Sequence, residues 1–210
     1  MNNRKEEIIM ATLKLAAENG LGTVSMQQIA DKVGITKASL YNHFSSRDEI
    51  VKEMYEVIRK ASREKTDAGK IDYDIISDKL SLRDFLKGTV GSYRKMVSDP
   101  HMYMFYKIIM SERSINSTAA DIMVMETKTM INATKAIFYA LQVKGIADFY
   151  DVDTAALSFA MGVHSIIDYE FDLKYAGKDV DNQMMSNYID EFCRIYGKKK
   201  EEKGNEKKTD

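Results

Sequence analysis

The chain has 210 residues, of which 30% are charged, with 31 Lys plus Arg against 32 Asp plus Glu. That length suits one domain or two small ones, with enough chain to bury about 70% of its unfolded surface. The near-zero charge balance excludes a polybasic nucleic-acid coat and a strongly acidic tail protein, and the single Cys193 excludes an intrachain disulfide and any multi-cysteine zinc site.

One proline, Pro100, stands where an average chain of this size carries about 10, so long helices are permitted throughout. Gly20, Gly145, Gly177 and Gly197 fall where helices would stop. The predicted class is all-α, with about nine helices.

The first helix is expected from about Arg4 to Asn19. Ile8, Ala11, Thr12 and Leu15 recur at i, i+3, i+4 and i+7 and define its buried face. Ser25-Met26-Gln27-Gln28 then fits an S-x-x-Q capping box, opening a helix over Met26 to Val33 that buries Ile29, Ala30 and Val33. Gly34 ends it. Thr36 is the expected N-cap of a third helix, Lys37 to Phe44. Ser46-Arg47-Asp48-Glu49 is a second capping box and opens a long fourth helix carrying Ile50, Met54, Val57, Ile58 and Ala61.

Two short helices around a tight turn, with another packed behind, make a helix-turn-helix. In the second of the pair, Leu40 and Phe44 are i, i+4 and face the core. Lys37, Ala38, Ser39, Tyr41, Asn42 and His43 are left for the outside. That set suits DNA: Lys37 and His43 offer donors to phosphate, Ser39 and Asn42 are short hydrogen-bonders, and Ala38 is small enough to approach a thymine methyl. An ordinary structural bundle is the alternative from period and caps alone. Residues 1–47 carry six basic against four acidic side chains on a chain whose middle is acidic, which points the same way.

The stretch from Val24 to Phe44, VSMQQIADKVGITKASLYNHF, resembles the DNA-binding signature of the tetracycline-repressor (TetR) family. The Ile-Ala pair, the Gly, the small-Leu-Tyr step and the Tyr-x-His-Phe ending stand in register, and the likeness extends over roughly residues 4–60. Thr12 and Ala16 are smaller than is usual there, and Arg47 stands where Lys is frequent. The resemblance implies phosphate contacts from Ser25, Thr36, Tyr41, His43 and Arg47. It implies base-edge contacts from Gln27, Lys37, Ala38, Ser39 and Asn42. Arg4 and Lys5 are placed before the first helix, within reach of a minor groove.

Beyond residue 65 the reading is coarser. Asp67 to Lys79 has Gly69 and four aspartates and reads as a linker. Helices are expected over Leu82 to Ser98, capped by Ser81 with Asp84, and from Pro100 to about Glu112. Others follow from Ser117 or Thr118 to Lys144, from Asp153 to about Lys174, and from Asn182 to Tyr196. The predicted organisation is a DNA-binding domain at 2–62 (helix-turn-helix 25–44), a linker at 63–80, a body at 81–197 and a charged, disordered tail at 198–210.

The helix around residue 160 is apolar on two sides, and such a helix is buried on two sides. One side would serve the monomer and the other a partner. The expected homodimer interface is Phe159, Val163, Ile166 and Ile167 with Tyr188 and Phe192 from the last helix. The resemblance likewise implies dimerisation through the last two long helices and a small effector bound in the body.

Seven of the 14 methionines lie between Met96 and Met130, among tyrosines. Methionine is flexible and recurs at adaptable binding surfaces. Tyr93, Met96, Tyr103, Tyr106, Met110, Met123, Met130, His164 and Asp168 are the expected ligand-binding set, and the expected effector is small and mostly apolar. His164 and Asp168 at i, i+4 are equally readable as a mutually satisfied core pair.

No metal or other cofactor is expected. There is no nucleophile elbow, P-loop or dinucleotide fingerprint, so an enzyme is not expected. The start is charged and lacks a signal core, and the longest run free of Asp, Glu, Lys and Arg, Thr154 to Ile167, is 14 residues, where a membrane span needs about 18–20. The expectation is a cytoplasmic regulator, a ligand-released repressor acting as a homodimer on a pseudo-palindromic operator. A DNA-binding scaffold governed by a protein partner is the alternative.

Overall fold

A computed structural model describes residues 3–66 and 81–197. The expected linker from residue 67 onward and the charged tail 198–210 lie outside the described residues. The elements in order are α1 (Asn3–Asn19), a short 3-10 turn (Leu21–Thr23), α2 (Met26–Val33), α3 (Lys37–Tyr41), α4 (Arg47–Thr66), α5 (Leu82–Val97), α6 (Pro100–Glu112), α7 (Ser117–Val143), α8 (Val152–Tyr175) and α9 (Met184–Tyr196). Among the described residues there are no β-strands beyond one isolated bridge, Ala147 to Gly197. None of the described helices is long and apolar enough to cross a membrane.

The helix starts follow local chemistry. Asp99 accepts from the amides of His101 and Met102, and Pro100 occupies the first turn, where its missing N–H costs nothing. Ser81 Oγ accepts from the Asp84 amide at 3.1 Å. Two starts differ from expectation. Asp151 caps α8, accepting from Asp153 and Thr154, so the helix begins at Val152. α9 begins at Met184 because Asp181 draws the Gln183 amide into a turn at 2.8 Å.

The chain packs as two compact units. The first joins α1–α4, α6, the part of α5 from Thr89 and the part of α7 up to Met130. Its core includes Ile9, Leu13, Ile29, Leu40, Phe44, Ile50, Met102 and Phe105, all buried. In α1 the buried stripe is Ile8, Ile9, Thr12, Leu13 and Ala16. The expected face is thus rotated: Ala11 and Leu15 are only half-buried. α1 packs against α2, α4 and α6, and three neighbours need a broader apolar stripe than one. Thr12 is fully buried and donates to the Ile8 carbonyl at 2.8 Å, which satisfies its hydroxyl inside the helix.

The second unit joins the start of α5, the end of α7, α8 and α9. An aromatic cluster forms its centre. Phe138 stacks on Phe149 at 4.6 Å, and Phe159 and Phe192 pack at 5.5 and 5.6 Å from the same ring. Phe159 and Phe192 are themselves 4.7 Å apart. Gly162 lets α9 approach α8, since a Cβ there would run into the Tyr188 hydroxyl, which donates to the Ser158 carbonyl at 3.1 Å. The Arg83 guanidinium makes two hydrogen bonds to Asp190, at 2.6 and 2.7 Å.

This packing corrects the expected partner face. Phe159, Val163, Ile167 and Phe192 are buried within the monomer, while Ile166 and Tyr188 are half-buried. α8 leaves exposed Leu157 at 45%, Met161 at 39%, and the tyrosines Tyr169 and Tyr175. Of the two sides that the sequence marks, the one with Phe159, Val163 and Ile167 is covered within the monomer, and the other keeps Leu157 and Met161 exposed.

Candidate nucleic-acid interface

The site is built on α2, α3 and the start of α4. Ser25 closes a full capping box: its Oγ accepts from the Gln28 amide at 3.3 Å, and its own amide donates to Gln28 Oε1 at 2.8 Å. Gly34 ends α2 at φ 74°, ψ 35°, the left-handed region where a Cβ is strained, and so turns the chain sharply. Thr36 Oγ1 accepts from the Ser39 amide at 3.1 Å and starts α3. In both caps the hydroxyl supplies a lone pair to the backbone. The Ser25 hydroxyl donates to Gln28 Oε1 at 2.9 Å.

α3 is shorter than expected, ending at Tyr41 rather than Phe44. The amides of His43 and Phe44 both donate to the Leu40 carbonyl, which tightens the chain into a turn. Leu40 and Phe44 are buried and pin the segment to the core. Lys37, Ala38, Tyr41 and Asn42 are exposed, and Ser39 and His43 are half-buried. Of the predicted outward set, Lys37, Ala38 and Tyr41 are exposed on α3 and Asn42 just past its end, with Tyr41 presenting 48% of its surface. Gln27 is exposed on α2, its side-chain amide donating to Asp31 at 2.8 Å.

Beside this element, the starts of α2 and α4 meet at an open cleft of about 350 Å³ lined by Val24, Ser25, Met26, Ser46, Arg47 and Asp48. Helix N-termini present unpaired amides and positive dipole ends, a setting that favours anions. The Asp48 carboxylate sits in the same lining and opposes them. Of these residues, Ser46 and Asp48 were legible only as capping-box members.

Arg47 has a second occupation that its sequence position does not reveal. Its Nη1 donates to the carbonyls of Leu21, Gly22 and Val24 at 3.1, 3.3 and 3.3 Å, so the guanidinium anchors the 3-10 turn before α2. On the other side of that turn, the Gly22 amide donates to the buried Glu112 carboxylate of α6 at 3.2 Å. The turn is clamped between an arginine and a glutamate.

The second capping box is also altered. Ser46 Oγ accepts from the Glu49 amide at 3.1 Å as expected, but the Glu49 carboxylate takes the Ser45 amide and hydroxyl, both at 2.6 Å. Those bonds hold the Glu49 carboxyl below its ordinary value.

Arg4 and Lys5 lie inside α1 rather than ahead of it. Arg4 pairs with Glu7 at 2.7 Å. Lys5 reaches Glu53 at 3.2 Å and sits 4.7 Å above the Phe44 ring. A cation over an aromatic face and beside a carboxylate is held at home, which removes the expected minor-groove reach for Lys5.

In the first unit, the expected ligand-binding residues Met96, Tyr106 and Met123 are buried, and Tyr93, Tyr103, Met110 and Met130 are half-buried. In the second unit, His164 is buried and lies 3.6 Å from the half-buried Asp168.

The fold and this site define a class: an all-helical chain whose amino-terminal part is a helix-turn-helix. The family model described as bacterial regulatory proteins, tetR family, matches residues 8–54. Over that amino-terminal segment the chain is similar to that family. Among curated relatives, the HTH-type transcriptional repressor KstR2 of Mycobacterium tuberculosis is 39% identical over 54 residues, 26% of this chain and 27% of the relative. KstR2 of Rhodococcus jostii is 29% identical over 97 residues, 46% of this chain and 34% of that one. The chain thus spans about a quarter to a third of the length of these relatives.

Solved structures extend the likeness to the whole fold. A TetR-family regulator from Mesorhizobium loti superposes with a TM-score of 0.69 at 18% identity, covering 93% of this chain and 97% of that one. SmeT in its complex with triclosan gives 0.71 at 14% identity, covering 93% and 92%.

Proposed function

We propose that this chain is a sequence-specific DNA-binding transcriptional repressor, a homodimer released from a pseudo-palindromic operator by a small, mostly apolar effector. The observation that carries it is the α3 segment: Leu40, and Phe44 just beyond the helix, pin it to the core, while Lys37, Ala38 and Tyr41 on the helix and Asn42 at its end face outward, inside the segment matching the family. Lys37, Ala38, Ser39, Asn42 and Gln27 read base edges. Tyr41, His43, Ser25 and Thr36 hold phosphates, the two cap hydroxyls doing so beside the starts of α2 and α3. Arg47 adds charge near the cleft while its Nη1 stays on the turn.

A recognition helix in each of two half-sites needs spacing of about 34–36 Å, which a monomer does not span. The partner surface in this reading is the exposed Leu157–Met161 face of α8, in place of the buried phenylalanines. The effector is held in the first unit, by Tyr93, Met96, Tyr103, Tyr106, Met110, Met123 and Met130. The complexed ligand named for SmeT supports a ligand-responsive body of this fold. The protein acts in the cytoplasm and performs no catalysis, in keeping with relatives that are named as regulators.

The test is selection of bound duplexes from a random pool, followed by titration of the winner at several salt concentrations. A two-fold-related motif whose binding weakens steeply with salt is expected, because phosphate contacts release counterions. Recovery of no motif, or binding indifferent to sequence, would overturn the reading.

A further inference from the structure

The buried acid in α7 was not singled out by the sequence, yet it is the most unusual polar group in the first unit. Glu126 is 3% exposed. Its Oε2 accepts from the Tyr55 hydroxyl at 2.5 Å and lies 3.0 Å from Arg59 Nε, both on α4. Its Oε1 is buried with no hydrogen-bond partner. A purely structural ion pair does not need that arrangement, and buried acceptors in native proteins are nearly always matched.

The surroundings are those of an adaptable apolar site. Met123, Glu126 and Met130 stand at i, i+3 and i+7 on one stripe of α7. Arg59 Nη1 lies 3.9 Å from Met96 Sδ, and Tyr55 packs 6.0 Å from Phe105. Methionine side chains can rearrange around a guest. Burial, with Glu126 alongside, pushes the Tyr55 phenol well above its ordinary value, so it remains a donor to Oε2. Arg59 offsets the carboxylate charge, so a second cation would bring unbalanced charge into an apolar region, whereas a neutral donor would not.

We propose that Glu126 Oε1 is the acceptor that anchors the effector, and that the effector is a neutral, mostly apolar molecule carrying a hydroxyl or amide N–H. This rests on the effector-released reading above and supplies the ligand chemistry that reading leaves open. Tyr55 and Arg59 are positioning residues that hold the other oxygen and leave this one facing a guest. Because both are on α4, the helix that begins at Arg47 beside the DNA-facing cleft, occupancy of Oε1 would be felt along the element that carries the helix-turn-helix.

The test uses the full chain with carbon-13 methyl-labelled methionines, titrated with decanol and with decyl methyl ether as its donor-free match. Decanol is expected to shift the Met96 and Met123 methyl signals saturably and to bind at least about tenfold more tightly than the ether, the size of one hydrogen bond to a charged acceptor. In Glu126→Gln the amide carbonyl stays with Tyr55 and Arg59, and an NH2 group takes the open position. The preference for the alcohol should then fall to about one, because both probes can accept a hydrogen bond from it. Thermal unfolding close to wild type checks that this variant folds.

Equal affinity of wild type for the two probes, binding of neither, or an alcohol preference kept in Glu126→Gln overturns the anchor. Operator binding is measured on the same samples. A chain that selects an operator but shows no alcohol preference loses only this inference, whereas one that selects no operator loses the functional reading itself.

Discussion

The amino-terminal helices and the second packing unit carry similar hydrophobic patterns but are specified differently. In the head, the helix-starting contacts are three residues apart: Ser25 to Gln28, Thr36 to Ser39, Ser46 to Glu49. In the second unit the decisive contacts are dozens apart, as in Phe138 against Phe192 and Arg83 against Asp190. The helix starts of the head are set by local signals, while its turn before α2 is held by two distant side chains, Arg47 and Glu112. The second unit holds together only when its aromatic rings find each other.

Substitutions in the aromatic centre should break that contrast most strongly. Phe138→Ala removes a fully buried ring with three aromatic neighbours and should cost about 3–5 kcal/mol, read as a lowered denaturant midpoint. Phe159→Asp and Phe192→Asp should unfold the chain rather than merely separate protomers, because an unpaired charge would enter the core. By contrast, Leu157→Glu combined with Met161→Glu should leave unfolding near wild type and, in sedimentation, leave monomer in place of the proposed dimer. If the two exposed changes leave a dimer intact, the interface lies elsewhere.

In the head, function and stability should separate. Lys37→Ala should leave the unfolding midpoint within about 0.5 kcal/mol of wild type, since the side chain is exposed. It should cost about 1–3 kcal/mol in operator binding and relax the preference at one base pair, measured by titration against single-position operator variants. Uniform weakening across all variants would make Lys37 a phosphate contact only. Thr36→Ala should sit between the two cases, costing about 1 kcal/mol of stability through the lost cap. Thr36→Ser should restore it, as read by urea denaturation.

The same contrast explains what the sequence reveals. The start of α3 and the outward set from Lys37 to His43 follow from caps, one left-handed glycine and a short-range apolar period. The phosphate role of Arg47 follows from the family resemblance, while its hold on the carbonyls of Leu21, Gly22 and Val24 is invisible locally, because they lie more than twenty positions upstream. The roles of Glu112 and Glu126 are invisible locally for the same reason: their partners are Gly22, Tyr55 and Arg59, and nothing nearby in the chain announces them. In α8, periodicity marked two apolar sides correctly. It could not say which side the chain's own helices cover: the one with Phe159, Val163 and Ile167 is buried, and the other keeps Leu157 and Met161 exposed.

The smallest expected effect tests whether the second unit also relies on surface charge. Arg83 holds the Asp190 carboxyl down to about 2 from an ordinary 3.8, with Lys87 adding to the effect. A depressed acid contributes stability that is present above its unfolded value and lost as pH falls through the folded one. The contribution should therefore be complete above about pH 4 and fade toward pH 2. Because both partners are solvent-accessible, salt should screen it. The measurement is the urea midpoint of wild type against Asp190→Asn across that range. The gap should be constant above pH 4, close on the acid side and shrink in strong salt. A gap that persists unchanged down to pH 2 would mean that Asp190→Asn disturbs packing between α5 and α9 and that the ion pair itself adds nothing. The second unit would then rest on its aromatic centre alone.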